Sequence, residues 1–264
     1  MIDTAKLFVT ILRVLSKLKV DTLFPDSVYD VILCYHAIED DESIFSVSPG
    51  MFEDHVKQLS SSYSLVSVPE IIATKNDTKL PRVAITFDDG YKSIFTSAYP
   101  ILSANNTTAC IFMVGDKNMI QKQTGKKILT KKEVSTLVSS EWQIGWHTQN
   151  HRDLRQLNLA ELKRDFVRHK NILKKSLNVD INYVAYPFGF YNERVKRLAY
   201  KSNFVAGFTV DGFKANSRSF DKYAIDRVTI SSEMTADDVR MLLTPVGLML
   251  NRLFTRLWRF KDSR

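Results

Sequence analysis

The sequence predicts an α/β fold in which a parallel sheet closes, or nearly closes, into a barrel. Three observations carry this. Seven short runs rich in β-branched and aromatic residues lie along the chain; their apolar character is nearly continuous; and helical patterns separate most of them. Continuous apolar runs suit strands buried on both faces. Strand and helix in alternation imply parallel pairing. A doubly wound open sheet is the competing architecture.

The strand candidates are 31–36, 82–88, 107–114, 143–147, 183–187, 204–210 and 224–230. Among the helices, 51–61 follows Ser48-Pro49, a cap and first turn. The run 93–104 contains Pro100 and is expected to kink or break there. Thr130 and Glu133 form a capping box before 131–139. The run 159–177 is long and charged on one face, and Asn192 caps 193–202. No glycine-rich phosphate loop follows any strand. At 264 residues and 44% hydrophobic, the chain suits one large barrel or two small domains. Cys34 and Cys110, both inside apolar runs, make neither a disulfide framework nor a CxxC metal motif, so the chain is expected to be reduced or indifferent to redox state.

The net charge is +8, and residues 1–20 and 245–264 together hold +7 of it. A near-neutral middle argues against a nucleic-acid-binding core. The apolar stretch 7–12 is cut by Arg13, far short of the roughly 20 residues of a membrane span. Arg13, Lys17 and Lys19 follow it with no small-x-small site, a poor fit to a cleavable signal peptide.

Two constellations carry chemistry. Asp88 and Asp89 end an apolar strand before Gly90. Two carboxylates there are costly without compensation, which a cation on one of them supplies, leaving the other as a base. Asp-Gly turn chemistry explains the same residues plainly. His147 and His151 stand four apart just beyond another strand, and neutral imidazoles so placed are able to share one ion. With Asp89 they make a two-histidine, one-carboxylate set that leaves positions open. Asp88, Asp89, His147, His36 and Pro187 all fall at predicted C-terminal strand ends, the face on which barrel enzymes place their sites. A third stretch, Ala185 to Gly189, reads as a strand ending in a Pro-Gly turn or as a wall of the site with a backbone N–H aimed at it. His55 and His169 read as solvated helix residues.

TFDDGY at 86–91, HTQNH at 147–151 and AYPFG at 185–189, in that order, resemble the polysaccharide deacetylases of the NodB homology domain, carbohydrate esterase family 4. The resemblance runs from about Val31 to Ile230, and the opening Tyr35-His36-Ala37-Ile38 is similar to the poly-N-acetylglucosamine deacetylase branch. It implies a distorted (β/α)7 barrel and removal of an N-acetyl group from an amino sugar in a polysaccharide or glycan precursor. It also implies Asp88 as base, His36 as general acid, and Asp89, His147 and His151 as ligands of one divalent metal, usually zinc. Pro187, Phe188 and Arg227 are expected on the substrate side, with the N–H near Phe188 at the oxyanion. Many relatives carry arginine in the third motif, where this chain has Ala185; Arg227 is the candidate replacement beside Asp88, against a plain surface or helix-facing arginine. A deformylase or deacetylase of a lipid-linked sugar, and a non-catalytic membrane-docked glycan-binding barrel, are the alternatives.

The expected division is a basic amphipathic helix at 1–24, the barrel at 25–235 and a second basic amphipathic helix at 236–264. Leu7, Phe8, Ile11, Leu12, Val14, Leu15 and Leu18 share one helical face; Met249, Leu250, Leu253, Phe254, Leu257, Trp258 and Phe260 share another. These faces pack on the barrel or against each other, with the basic face merely solvated, or they lie on an anionic membrane. The second reading makes the chain a peripheral protein on the cytoplasmic face.

Overall fold

The computed structural model describes residues 4–20, 30–73, 80–211 and 221–262, with side chains placed for residues 6–257 of these spans. The expected boundary near residue 24 lies outside them. Each of the seven strand runs contains strand structure. They are β1 (Val31–Tyr35), β2 (Arg82–Phe87), β3 (Ala109–Met113), β4 (Gln143–Trp146), β5 (Tyr183–Ala185), β6 (Ala206–Thr209) and a last run in two pieces, β7 (Ile225–Asp226) and β8 (Val228–Thr229). All neighbours pair in parallel in the order β7-β6-β5-β4-β3-β2-β1-β8. The first and last members of this path are separated only by Arg227. One extended segment therefore pairs with β6 through Ile225 and Asp226 and with β1 through Val228 and Thr229. The sheet closes through that residue, which rules out the open doubly wound alternative.

Alternate residues along the strands separate into two cores, as a period of two requires. Ile32, Ala84, Cys110, Phe112, Ala206 and Phe208 fill the barrel interior. Leu33, Ile85, Ile111, Ile144 and Val184 face the surrounding helices. The interior is tight: a Cβ on Gly145 would stand 2.4 Å from the Phe112 ring. The short helix Val68–Ile72 packs on the interior cluster, with Arg82 at the start of β2 bonded to its Glu70 carbonyl and to Asp30. This seals the N-terminal end of the barrel and leaves the other end for the site.

Helix α1 is Thr4–Lys17 and α2 is Pro49–Ser62, capped by Ser48. Around Pro100 the helix does not break. A π-helical turn, Ile94–Ala98, leads into α3 (Tyr99–Ala104), so the missing N–H falls at a helix start. Helix α4 (Lys131–Ser139) carries the expected capping box, and the run from Leu159 to Leu177 is helical throughout, with a π segment at Arg164–His169. The C-terminal part holds two helices where one was expected: α5 (Ala236–Leu242) and α6 (Pro245–Asp262). Pro245 lacks the N–H an uninterrupted helix needs and begins a new one. His55 is another correction. It is fully buried on α2, with Nε2–H donated to the Met234 carbonyl and Nδ1 facing the Tyr35 hydroxyl. His169 is half-buried. No helix among the described residues is long and apolar enough to cross a membrane.

Candidate active site

The register sets Tyr35 beside Phe87, so His36 and Asp88 leave the sheet side by side. His147 follows β4, and its N–H reaches the Met113 carbonyl at the end of β3. The loops after β3 and β4 are bonded to each other, Gly115 N–H to Thr148 O at 3.0 Å and Asp116 N–H to Gln149 O at 2.8 Å. Sharp turns bring the groups inward. Asp89, Thr148, His151 and Phe188 all have positive φ, between 45° and 68°. Such backbone costs about 1–3 kcal/mol per residue and gathers where function demands a geometry.

These turns converge three ligand atoms. His147 Nε2 and His151 Nε2 lie 3.8 and 3.7 Å from Asp89 Oδ1. A tetrahedral ion with bonds of about 2.0–2.2 Å holds its ligand atoms roughly 3.3–3.6 Å apart, so the set needs little adjustment. Asp89 Oδ1 is buried without a hydrogen-bond partner, while Oδ2 accepts from the Tyr91 hydroxyl at 2.8 Å. An orphaned carboxylate oxygen aimed between two imidazoles is the donor a cation requires. The His147 Nδ1–H is donated to the Ala185 carbonyl at 2.8 Å, which leaves Nε2 unprotonated toward the same point. Burial lowers the His147 pKa to about 4, keeping the ring neutral and its Nε2 lone pair available at ordinary pH.

Asp88 stands beside this set, with Oδ2 3.7 Å from His147 Nε2, but has partners of its own. Arg227 Nη1 and Nη2 donate to its two oxygens at 2.7 and 2.8 Å, and the Cys34 thiol lies 3.4 Å from Oδ2. Burial alone would raise the Asp88 pKa, but the charge of Arg227, then His147, the Arg227 hydrogen bonds and His36 outweigh it and hold the carboxyl well below the usual range. Arg227 is 1% exposed and also bonds Thr86 Oγ1. The plain surface or helix-facing arginine is thus replaced by an interior one. Its guanidinium holds both oxygens of Asp88, and the residue also lines the cavity that contains the site. Cys34, His36 and Asp88 also stand close enough to share an ion. Yet Asp88 is tied to Arg227, and burial raises the Cys34 thiol well above its ordinary value, so the donor set around Asp89 is the better cage.

The polysaccharide deacetylase family model matches residues 75–207. A Bacillus subtilis protein named "Putative polysaccharide deacetylase YxkH" is 31% identical over 209 residues, covering 77% of this chain and 72% of that one. The chain belongs to the polysaccharide deacetylase family. A Staphylococcus aureus poly-beta-1,6-N-acetyl-D-glucosamine N-deacetylase is 27% identical over 205 residues, 72% of this chain and 69% of the relative. The same fold recurs in the Streptococcus pyogenes deacetylase PplD in complex with acetate, with a TM-score of 0.69 at 24% identity over 83% of this chain and 99% of that one. IcaB from Ammonifex degensii gives 0.67 at 23% identity over 87% and 97%.

Within this deacetylase, His36 sits beside Asp88 with its Nδ1 buried and unpartnered, and its ring lies 4.9 Å from Phe45. Across the site the Phe188 ring lies 4.7 Å from His151. Pro187 is buried in the turn that carries Phe188. Sequence reasoning missed Asp165, whose oxygens accept from Trp146 Nε1 at 2.8 Å and Gln149 N–H at 2.9 Å. It braces the loop between His147 and His151 from the following helical run, and one acid among the charges of that run gives no sign of it. Lys126 was also missed: its ammonium binds Glu39 and Asp41, pinning the loop that carries Phe45.

Proposed function

We propose that this enzyme removes the N-acetyl group of an amino sugar in a glycan by metal-assisted hydrolysis, the ion being zinc. The observation that carries this is the orphaned Asp89 oxygen facing two imidazole nitrogens, with a separately held carboxylate beside them. The ion, held by Asp89, His147 and His151, supplies Lewis acidity. Asp88 receives the proton of the attacking water. Its ionised state is secured by Arg227. His36 gives a proton to the departing sugar nitrogen, and the N–H near Phe188 helps hold charge on the carbonyl oxygen. Acetate and a free amine result. The likeness to a named poly-N-acetylglucosamine deacetylase supports a glycan of that type.

A second reading, that the amino sugar is lipid-linked, is favoured by one observation. The cavity of about 670 Å³ that contains the catalytic groups extends to Phe8 of α1 and Phe254 of α6, giving an apolar wall a sugar does not need. Acetate release from soluble N-acetylglucosamine oligomers and from a lipid-linked N-acetylamino sugar separates the two. Asp88→Asn should retain metal and lose about 100- to 10,000-fold in rate. Near-parent turnover in that variant overturns the assignment of the base.

A further inference from the structure

The inner faces of the terminal helices are consumed by packing. Phe8, Val9 and Leu12 of α1 are buried, and the Phe8 ring lies 5.0 Å from that of Phe254 on α6. Arg13 binds both oxygens of Asp238 on α5, at 3.2 and 3.0 Å from Nε. These contacts leave part of the apolar surface uncovered. Val14 on the outer side of α1 and Leu18 just past its end are 50% and 67% exposed. On α6, Met249, Leu253 and Leu257, spaced four apart on one face, are 65%, 53% and 52% exposed. Trp258 and Phe260 lie beyond the described side chains.

Charge identifies what covers this surface. Neither α1 nor the length of α6 before Asp262 carries an acidic residue; Arg13 is bound to Asp238 and Lys6 stands 3.9 Å from Glu233, while Lys17 on α1 and Arg252 and Arg256 on α6 add further positive charge. A second copy docking through the same face would set like charges against each other. An anionic bilayer offers apolar chains for the stripe and phosphates for its cationic rim.

We propose that α1 and α6 form one platform that seats this enzyme on an anionic membrane surface. The platform adjoins the catalytic cavity, because Phe8 and Phe254 line that cavity from the inner side of the same helix pair. Glycan borne at a membrane therefore meets the site along the seam. The inference rests on the proposed function only for this last step; docking itself needs neither metal nor turnover.

The test is flotation of the full chain with phosphatidylcholine vesicles and with vesicles that also contain phosphatidylglycerol. The chain is expected to float only with the anionic vesicles, and salt near 1 M, where the screening length falls to about 3 Å, should release it. Met249→Asp with Leu253→Asp should abolish flotation. Arg252→Gln with Arg256→Gln should weaken partitioning by about 30-fold, from roughly one lipid attraction lost per arginine. Met249, Leu253 and Arg256 are exposed, Arg252 is half-buried, and none of the four lines the cavity, so melting temperature and acetate release from soluble oligomers should stay near parent values. Asp88→Asn should float like the parent, so that a failure of catalysis and a failure of docking are told apart. A parent chain that stays soluble with anionic vesicles at low salt overturns the proposal. So does equal flotation of the aspartate variant. A dimer in sedimentation that Leu253→Asp breaks, without vesicle binding, assigns the face to a second copy instead.

Discussion

Replacing Arg227 by methionine isolates the group that holds Asp88, the proposed base. Arg227 and Asp88 are 1% and 4% exposed and joined by two hydrogen bonds of 2.7 and 2.8 Å. Removing one member of a buried pair leaves the other charge without compensation and costs about 3–5 kcal/mol. In a domain of this size that corresponds to a fall in melting temperature of roughly 10 °C. The pH dependence gives the mechanism its own signature. In the parent, Asp88 titrates below its unfolded value of about 3.9, so its contribution is present above that pH and is lost only as pH falls through the depressed value. In Arg227→Met, burial, the largest influence on Asp88, acts without the guanidinium and raises the carboxyl. The deficit against the parent should thus be largest near neutrality and shrink in acid, where the variant's carboxyl is protonated and neutral. The acid limb of the rate profile should move to higher pH. Urea unfolding of metal-free protein at several pH values, with a rate profile of the loaded enzyme, measures both. Arg227→Lys should recover the charge but not the paired bonds. A deficit below 1 kcal/mol, or one equal at pH 5 and pH 8, would refute the reasoning.

Three further outcomes follow from the site. Asp89→Ala, His147→Ala and His151→Ala should each emerge from gel filtration without metal; full occupancy in all three would remove the ligand assignment. Asp165→Ala, which frees the loop between the two histidines, should lower metal affinity by about 10- to 100-fold, read by competition with a chelating dye, while unchanged affinity would make Asp165 merely structural. His147 has a folded pKa of about 4 against an unfolded value of about 6.5. Its contribution is therefore full above pH 6.5 and declines as pH falls toward 4, by roughly 3 kcal/mol in metal-free protein. His147→Gln should flatten that slope, and a parent whose stability is level across the window would contradict the burial argument.

Several features of this protein were legible in residue order alone. The seven strands appear because burial on both faces demands nearly unbroken apolar runs. The helix starts at Ser48, Thr130 and Asn192 appear because a cap is a local hydrogen bond. Asp88, Asp89, His147 and His151 stand out only as a set: each pair alone has a plain reading, and together they bring two imidazoles and two carboxylates to strand ends. What required the tertiary structure was every relation between distant segments. Barrel closure through Arg227 depends on one residue changing its strand partner, which no local pattern encodes. The pairing of Arg227 with Asp88 spans 139 positions of the chain. His55 looked solvated beside charged neighbours, and only the packing of α2 against Tyr35 and Met234 buries it. The amphipathic pattern of α1 marked one apolar face. The fold divides it, turning Phe8 and Leu12 inward and leaving Val14 and Leu18 outside. Helical periodicity says which side chains share a side, but the partner surface decides how much of that side is covered.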